Sequence, residues 1–459
     1  MKAFLRIFLL PLLVMLPLTA RAETLADALI SAYRHSGLLD QQRALLRAAD
    51  EDVAVAVSAL RPALNYALSA SRTDTQPFPG ETTSLSATLS AQLVLFDFGR
   101  SRLGVKLARE NVLATRELLV GAEQNVLLRA VSAYLNVRSA AEAAQLQASN
   151  VRLITEELRA ARDRFEVGEI TQTDVSLAEA RLAGARAAES AAAGQLLVAR
   201  EEYKAATGHY PGTLSAPPPP KVSVKTVADA RALALRNHPD MRAAQRNVTI
   251  AEMNVEMALL AMKPTLSASG SATDTRIPGG TDTTNTQLGI TLSGPIYQGG
   301  RLSALYRKAQ AQRDAARAGL HLTRASIEQG VSNAWAGLAV AAASIEASQR
   351  QIRAATVALR GTREELKLGT RTMLDVLNTE QDLLNARNAA IRAEADQFLA
   401  SYQLLAAMGL LTAEHLKLGI ATYDPEAYYN AVRNAPVRQV SPQGEKLDAV
   451  IQALGLPNN

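Results

Sequence analysis

Two threonine–aspartate pairs occupy matching places in the two halves of the chain. Thr171 and Asp174 lie in GEITQTDVSLAEARLAGAR, from Gly168 to Arg186; Thr372 and Asp375 lie in GTRTMLDVLNTEQDLLNAR, from Gly369 to Arg387. The Thr-x-x-Asp spacing is that of a capping box, in which hydroxyl and carboxylate satisfy the free N–H groups of a helix start. The glycine ahead of each pair can end the preceding helix, and each carboxylate suits a helix N-terminus.

Other chemistry finds little to work with. The five histidines lie far apart with no His-x-x-x-His pair, so no metal site is expected. There is no phosphate-cradling glycine loop and no nucleophile elbow. The sequence therefore predicts neither an enzyme nor a bound cofactor.

The 459 residues include no cysteine, and aromatic content is only 4%. Stability must come from packing and assembly, and abundant Ala and Leu suit long, close-packed helices. The start reads as a secretory signal. Lys2 and Arg6 precede an apolar run from Phe8 to Leu18, and Ala20-Arg21-Ala22 is a small-x-small cleavage site, so residues 1–22 are expected to be removed. A retained anchor is the alternative. Removal lowers Lys plus Arg from 49 to 46 against 44 acids, a net charge of +2, which is no nucleic-acid footprint. No later stretch approaches the ~18 apolar residues of a spanning helix, so any membrane role must use strands.

The halves are a tandem repeat. Gly168 pairs with Gly369, Asp174 with Asp375, Gly99 with Gly300 and Tyr134 with Trp335, all 201 residues apart; TLADAL at Thr24 matches TVADAR at Thr226, 202 apart. The predicted repeats are 23–216 and 226–415, joined by a proline-rich linker at 217–225 and followed by a partly disordered tail at 416–459. Each repeat reads as helix, hairpin, long helix, break, helix. The first helix is predicted as one piece from about Leu25 to Leu60, ended by Pro62.

The hairpins are expected at 64–96 and 265–297. Leu64, Tyr66, Leu68 and Ala70 alternate with polar residues, as do Leu85, Ala87, Leu89, Ala91 and Leu93; Leu288, Ile290 and Leu292 oppose Gln287, Thr291 and Ser293. Apolar residues on one side and Ser, Thr and Gln on the other make the pattern of a transmembrane β-barrel wall. A soluble sandwich or a fibre-like sheet is the alternative. Four strands cannot close a barrel, so copies must combine: two would supply eight strands, three would supply twelve. Between the hairpins and the breaks, proline-free segments of ~65 residues carry coiled-coil spacings and imply helices on the order of 100 Å long.

On GTRTMLDVLNTEQDLLNAR, VGEITQTDVSLAEARLAGAR and the tail YDPEAYYNAVRNAPV, the chain resembles the TolC family of outer-membrane export ducts over about Glu23 to Pro436. The resemblance implies a homotrimer whose twelve-stranded barrel continues into a twelve-helix periplasmic tunnel, closed at its inner end by helix pairs that open like an iris. It implies a gate or selectivity role for Asp375, in an acidic ring at the tunnel entrance. It implies polar links from Arg371 to Thr173 and Asp174, and adaptor docking around the tips at Gly168 and Gly369. Two positions depart from the family. Asn378 stands where a second acidic ring falls, and Leu366 where a tyrosine helps hold the closed state. The implied partners are a periplasmic adaptor, an inner-membrane transporter and outer-membrane lipid, in efflux or type I secretion. The rival reading is a periplasmic coiled-coil adaptor that bridges partners without forming a pore; it leaves the four alternating strands unexplained.

Overall fold

The computed structural model describes residues 22–74, 81–218, 224–437, 449 and 451–453. Nearly all of the expected signal segment, the core of the proline-rich linker and most of the far C-terminus lie outside them. Each repeat holds two short helices, a hairpin and two long helices. The first repeat runs α1 (Leu25–His35), α2 (Gly37–Ser58), β1 (Ala63–Asp74), β2 (Glu81–Phe96), α3 (Arg100–Glu166) and α4 (Gln172–Thr207). The second runs α5 (Val227–Asn237), α6 (Pro239–Leu260), β3 (Thr265–Arg276), β4 (Thr283–Ser293), α7 (Arg301–Lys367) and α8 (Met373–Ala407), and α9 (Pro425–Val432) follows.

The single helix expected over Leu25–Leu60 is two. Ser36 takes an extended conformation, and its hydroxyl accepts from the Leu39 N–H to start α2 afresh. A serine side chain competes with the helix ladder for backbone donors, so it favours a cap over a helix interior. The second repeat breaks at the matching place, where His238 caps α6 and Pro239 fills its first position.

The strands form one antiparallel sheet in the order β1-β2-β3-β4. The central pairing, β2 with β3, joins the two repeats, with Leu89 opposite Ala272 and Ser90 opposite Ser271. The alternation read from the sequence is the alternation of the two faces. Serine and threonine hydroxyls bond across strands on one face: Ser71 with Ser84 at 2.9 Å, Ser86 with Thr275 at 3.0 Å, Thr88 with Thr273 at 3.1 Å. The other face is apolar and bare, with Leu68 75% and Leu288 87% exposed. No described helix is long and apolar enough to cross a membrane. β1 and β4 each leave one edge unpaired within the protomer.

Both α3 and α7 run for 67 residues, about 100 Å at 1.5 Å per residue. The main core lies partway along them. Leu127 and Tyr134 of α3 pack with Leu29 of α1, Tyr203 of α4, Leu404 of α8, and Met408 and Leu411 beyond it. The Tyr134 hydroxyl donates to the carbonyls of Glu23 and Ser215 and pins the chain start across the helices.

The bare apolar face makes a directional prediction. Leu288→Lys places a charge near mid-strand on that face, at a cost of about 2–4 kcal/mol at a bilayer midplane. It should deplete assembled protein from the membrane fraction, whereas Gln287→Lys on the polar face should assemble normally. Equal assembly of the two variants would contradict the assignment of faces.

The candidate gate at the helix tips

The α3–α4 and α7–α8 turns are built alike. Gly168 and Gly369 take left-handed backbone, with φ of 75° and 73°. A side chain at such φ is strained even in open space, which is why glycine stands there. At each glycine the helix ends in a Schellman motif. Glu169 N–H reaches the Arg164 carbonyl and Gly168 N–H that of Phe165; Thr370 and Gly369 repeat this with Glu365 and Leu366. The next helix opens on a complete capping box in both repeats. The Asp174 carboxylate accepts from the Thr171 N–H at 3.0 Å and hydroxyl at 2.7 Å; the Asp375 carboxylate accepts from the Thr372 N–H at 3.0 Å and hydroxyl at 2.8 Å.

Both turns lie at the same end of the molecule. Val175, Ala178 and Leu182 of α4 form one buried cluster with Ile154, Leu158 and Ala161 of α3 and with Met373 and Leu377 of α8. Val376 and Leu383 turn to the other side of α8 and bury against Leu359 of α7. Leu366 packs against both clusters and so adds an apolar contact between them.

The residues singled out in the sequence fall around these turns as follows. Asp375 has its carboxyl held below the usual range, first by the Thr372 N–H, then by the Thr372 hydroxyl, with Arg371 adding a smaller pull. Arg371 is exposed and donates to Glu365 at 2.9 Å, across its own turn. Within one protomer Asp174 is engaged by its own cap, and Thr173 beside it is exposed. Asn378, one turn beyond Asp375, accepts from Arg181 of α4 at 2.7 Å. That bond joins the two helix pairs.

One polar tie at this end escaped the sequence reading. Arg363 of α7 reaches Glu157 of α3 at 2.9 Å and also bonds Glu380 of α8. Glu380 is 3% exposed, and its second carboxylate oxygen has no hydrogen-bond partner, nor has the Arg363 Nε. One guanidinium on α7 thus serves two carboxylates, one on α3 and one on α8. Burial pushes the Glu380 carboxyl up, against the pull of Arg363 and with the help of Glu157. A signal existed. Glu380 follows Val376 and Leu377 and precedes Leu383 and Leu384, so it sits in the apolar seam of α8 where a charge must find a partner.

No group of His, Cys, Asp and Glu among the described residues has a metal-holding arrangement. The features gathered at this end are two capped turns, an apolar seam and a few polar ties between the helix pairs.

A family model described as outer membrane efflux protein matches residues 30–209 and 230–410, one match per repeat. The outer membrane efflux protein BepC of Brucella suis biovar 1 (strain 1330) is 38% identical over 420 residues, covering 90% of this chain and 91% of the relative. The alkaline protease secretion protein AprF of Pseudomonas aeruginosa (strain ATCC 15692 and its synonyms) is 28% identical over 357 residues, 74% of this chain and 73% of the relative. A solved structure of CusC superposes with a TM-score of 0.75 at 19% identity, over 84% of this chain and 92% of that one.

Two measurements probe the tie at Arg363. Arg363→Gln orphans a buried carboxylate and should loosen the tips by about 3 kcal/mol, the low end for a broken buried pair because Arg363 is itself partly exposed. Hydrogen exchange over residues 352–380 should quicken accordingly, and unchanged protection would remove the triad from the energetics of the tip. The pH dependence has a definite sign. The packed tip binds the Glu380 proton more tightly than an opened one, so tip stability is greatest in acid and declines as pH rises through that titration. Protection, corrected for intrinsic rates, should fall in the same direction.

Proposed function

The chain belongs to the outer membrane efflux protein family, and from that premise we propose that three copies assemble into one passive export duct. The observation that carries this reading is the four-stranded sheet with two open edges and a bare apolar face. In hydrocarbon each unpaired backbone group costs several kcal/mol, so β1 must find the β4 edge of another copy. Three sheets give a twelve-stranded barrel. The helices agree. α3 buries seventeen residues and α7 only six, although the two are repeat counterparts of equal length. Leu322, Val340 and Val357 of α7 stand open, and a neighbouring copy would cover such a face.

In this reading the helices hang together into the periplasm as a tunnel, and the duct performs no chemistry. Asp375 would ring the entrance, with Asn378 in place of a second acidic ring. Arg371 would exchange Glu365 for Asp174 and Thr173 of a neighbouring copy and so hold the inner helix pair closed. A periplasmic adaptor would dock around Gly168 and Gly369 and couple the duct to an energised inner-membrane transporter. Efflux and type I secretion are both served by such a machine, in keeping with the names of BepC and AprF.

Single-channel recording in planar bilayers tests the whole. Wild-type protein should show a small, cation-preferring conductance, and Arg371→Ser should raise it several-fold. An unaltered conductance in the variant would remove Arg371 from the gate. If purified, membrane-extracted protein gave no conductance at all, the duct itself would be wrong.

A further inference from the structure

Beyond α8 the chain turns back and lies across the first repeat. Tyr423 N–H donates to the Tyr33 hydroxyl at 3.4 Å. Arg116 of α3 donates to the Pro425 carbonyl at 3.1 Å and reaches Glu426 at 3.4 Å. The Tyr428 hydroxyl donates to Glu51 of α2 at 2.8 Å, and Arg61 bonds the carbonyls of Asn434 and Ala435. The rings of Tyr423 and Tyr429 cover a small core of Leu46 and Val53 from α2 with Ala108 and Val112 from α3. This strap, with α9 at its centre, fastens the end of the second repeat onto the first.

A carboxyl lies under it. The buried face of α2 runs Leu39, Arg43, Leu46, Asp50 and Val53, in steps of four and three. Asp50 is 0% exposed, and neither of its oxygens has a hydrogen-bond partner. The charged and titratable groups that face it are Arg116 from α3, Glu51 from α2, and Tyr423 and Tyr428 from the strap. Arg43, Arg47 and Asp424 border the same ground. Arg43 pairs with Asp40, and Arg116 reaches Glu426 while also pulling on the Asp50 charge from α3.

We propose that Asp50 makes the strap a proton-dependent clasp, closed over α2 and α3 while Asp50 is protonated and released more readily when that proton is lost. An ionised carboxylate with no hydrogen bond is poorly tolerated in a site closed to water, whereas a lifted strap would let water solvate it. Burial outweighs the pull of Arg116 and brings the docked carboxyl up to about 7, from 3.8 in water. Docking is therefore strongest below the lower value. It weakens as pH rises between the two, by up to about tenfold per pH unit, and levels off above the higher one.

The chain has no cysteine, so Asn430→Cys gives one exposed labelling site on α9. Spin-label mobility on the full-length protein in detergent, followed from pH 4 to 8, reads the strap directly and independently of conductance. The mobile fraction should grow with pH, up to about tenfold per unit between 5 and 7. Adding Asp50→Asn or Asp50→Val should abolish that slope, and the valine serves if a buried amide prevents folding. A flat wild-type profile would overturn the clasp, as would a slope that survives in whichever replacement folds.

Discussion

The rest of this structure depends on one requirement: a backbone group inside a lipid bilayer must be hydrogen-bonded within protein. One chain supplies four strands and leaves two edges open, so it is an incomplete object in a membrane. Everything on the sheet suits completion by copies of itself. The apolar face reaches from Leu64 and Leu68 on β1 to Leu288 and Leu292 on β4, and the opposite face is laced by hydroxyl contacts such as Thr88 with Thr273. Because both hairpins lie between helices, a closed barrel must carry all of its helices on one side.

The long helices inherit that geometry and divide the labour unequally. In sequence α3 and α7 are counterparts; in space α3 lies among α2, α4, α6 and α8, while much of α7 is left open. Duplication produced two similar pieces, and packing within the protomer buries them unequally. A well-buried pair can act as a fixed wall. A pair held by a small apolar seam and a few charges can move without unfolding.

The polar groups at the tips show how burial sorts stability from switching. Exposed pairs such as Arg371 with Glu365 contribute little to stability and exchange partners at low cost. Arg363 between Glu157 and Glu380 is different, because one of its partners is sealed in an apolar seam, and breaking that contact leaves a charge without solvent. The same distinction applies at the strap, where Asp50 is buried without a partner. Charge in a low-dielectric seam couples shape to proton concentration; charge at the surface mostly does not.

Much of this was legible in the sequence. The tandem repeat, the alternating strands, the two capping boxes and the left-handed glycines all rest on local pattern, and local pattern survives without knowledge of neighbours. The demand for several copies followed from counting strands. The break at Ser36 was missed because one hydroxyl cap inside a long apolar periodicity is a weak local signal. The triad at Arg363 and the seat of Asp50 were decided only by the tertiary structure. Arg363 meets Glu157 across 206 positions of chain, and the strap meets α2 across more than 370. A charge in an apolar seam announces that it needs a partner, but its spacing cannot say which residue comes to it. That choice is made by packing, where helices distant in sequence bring their side chains to the same small volume.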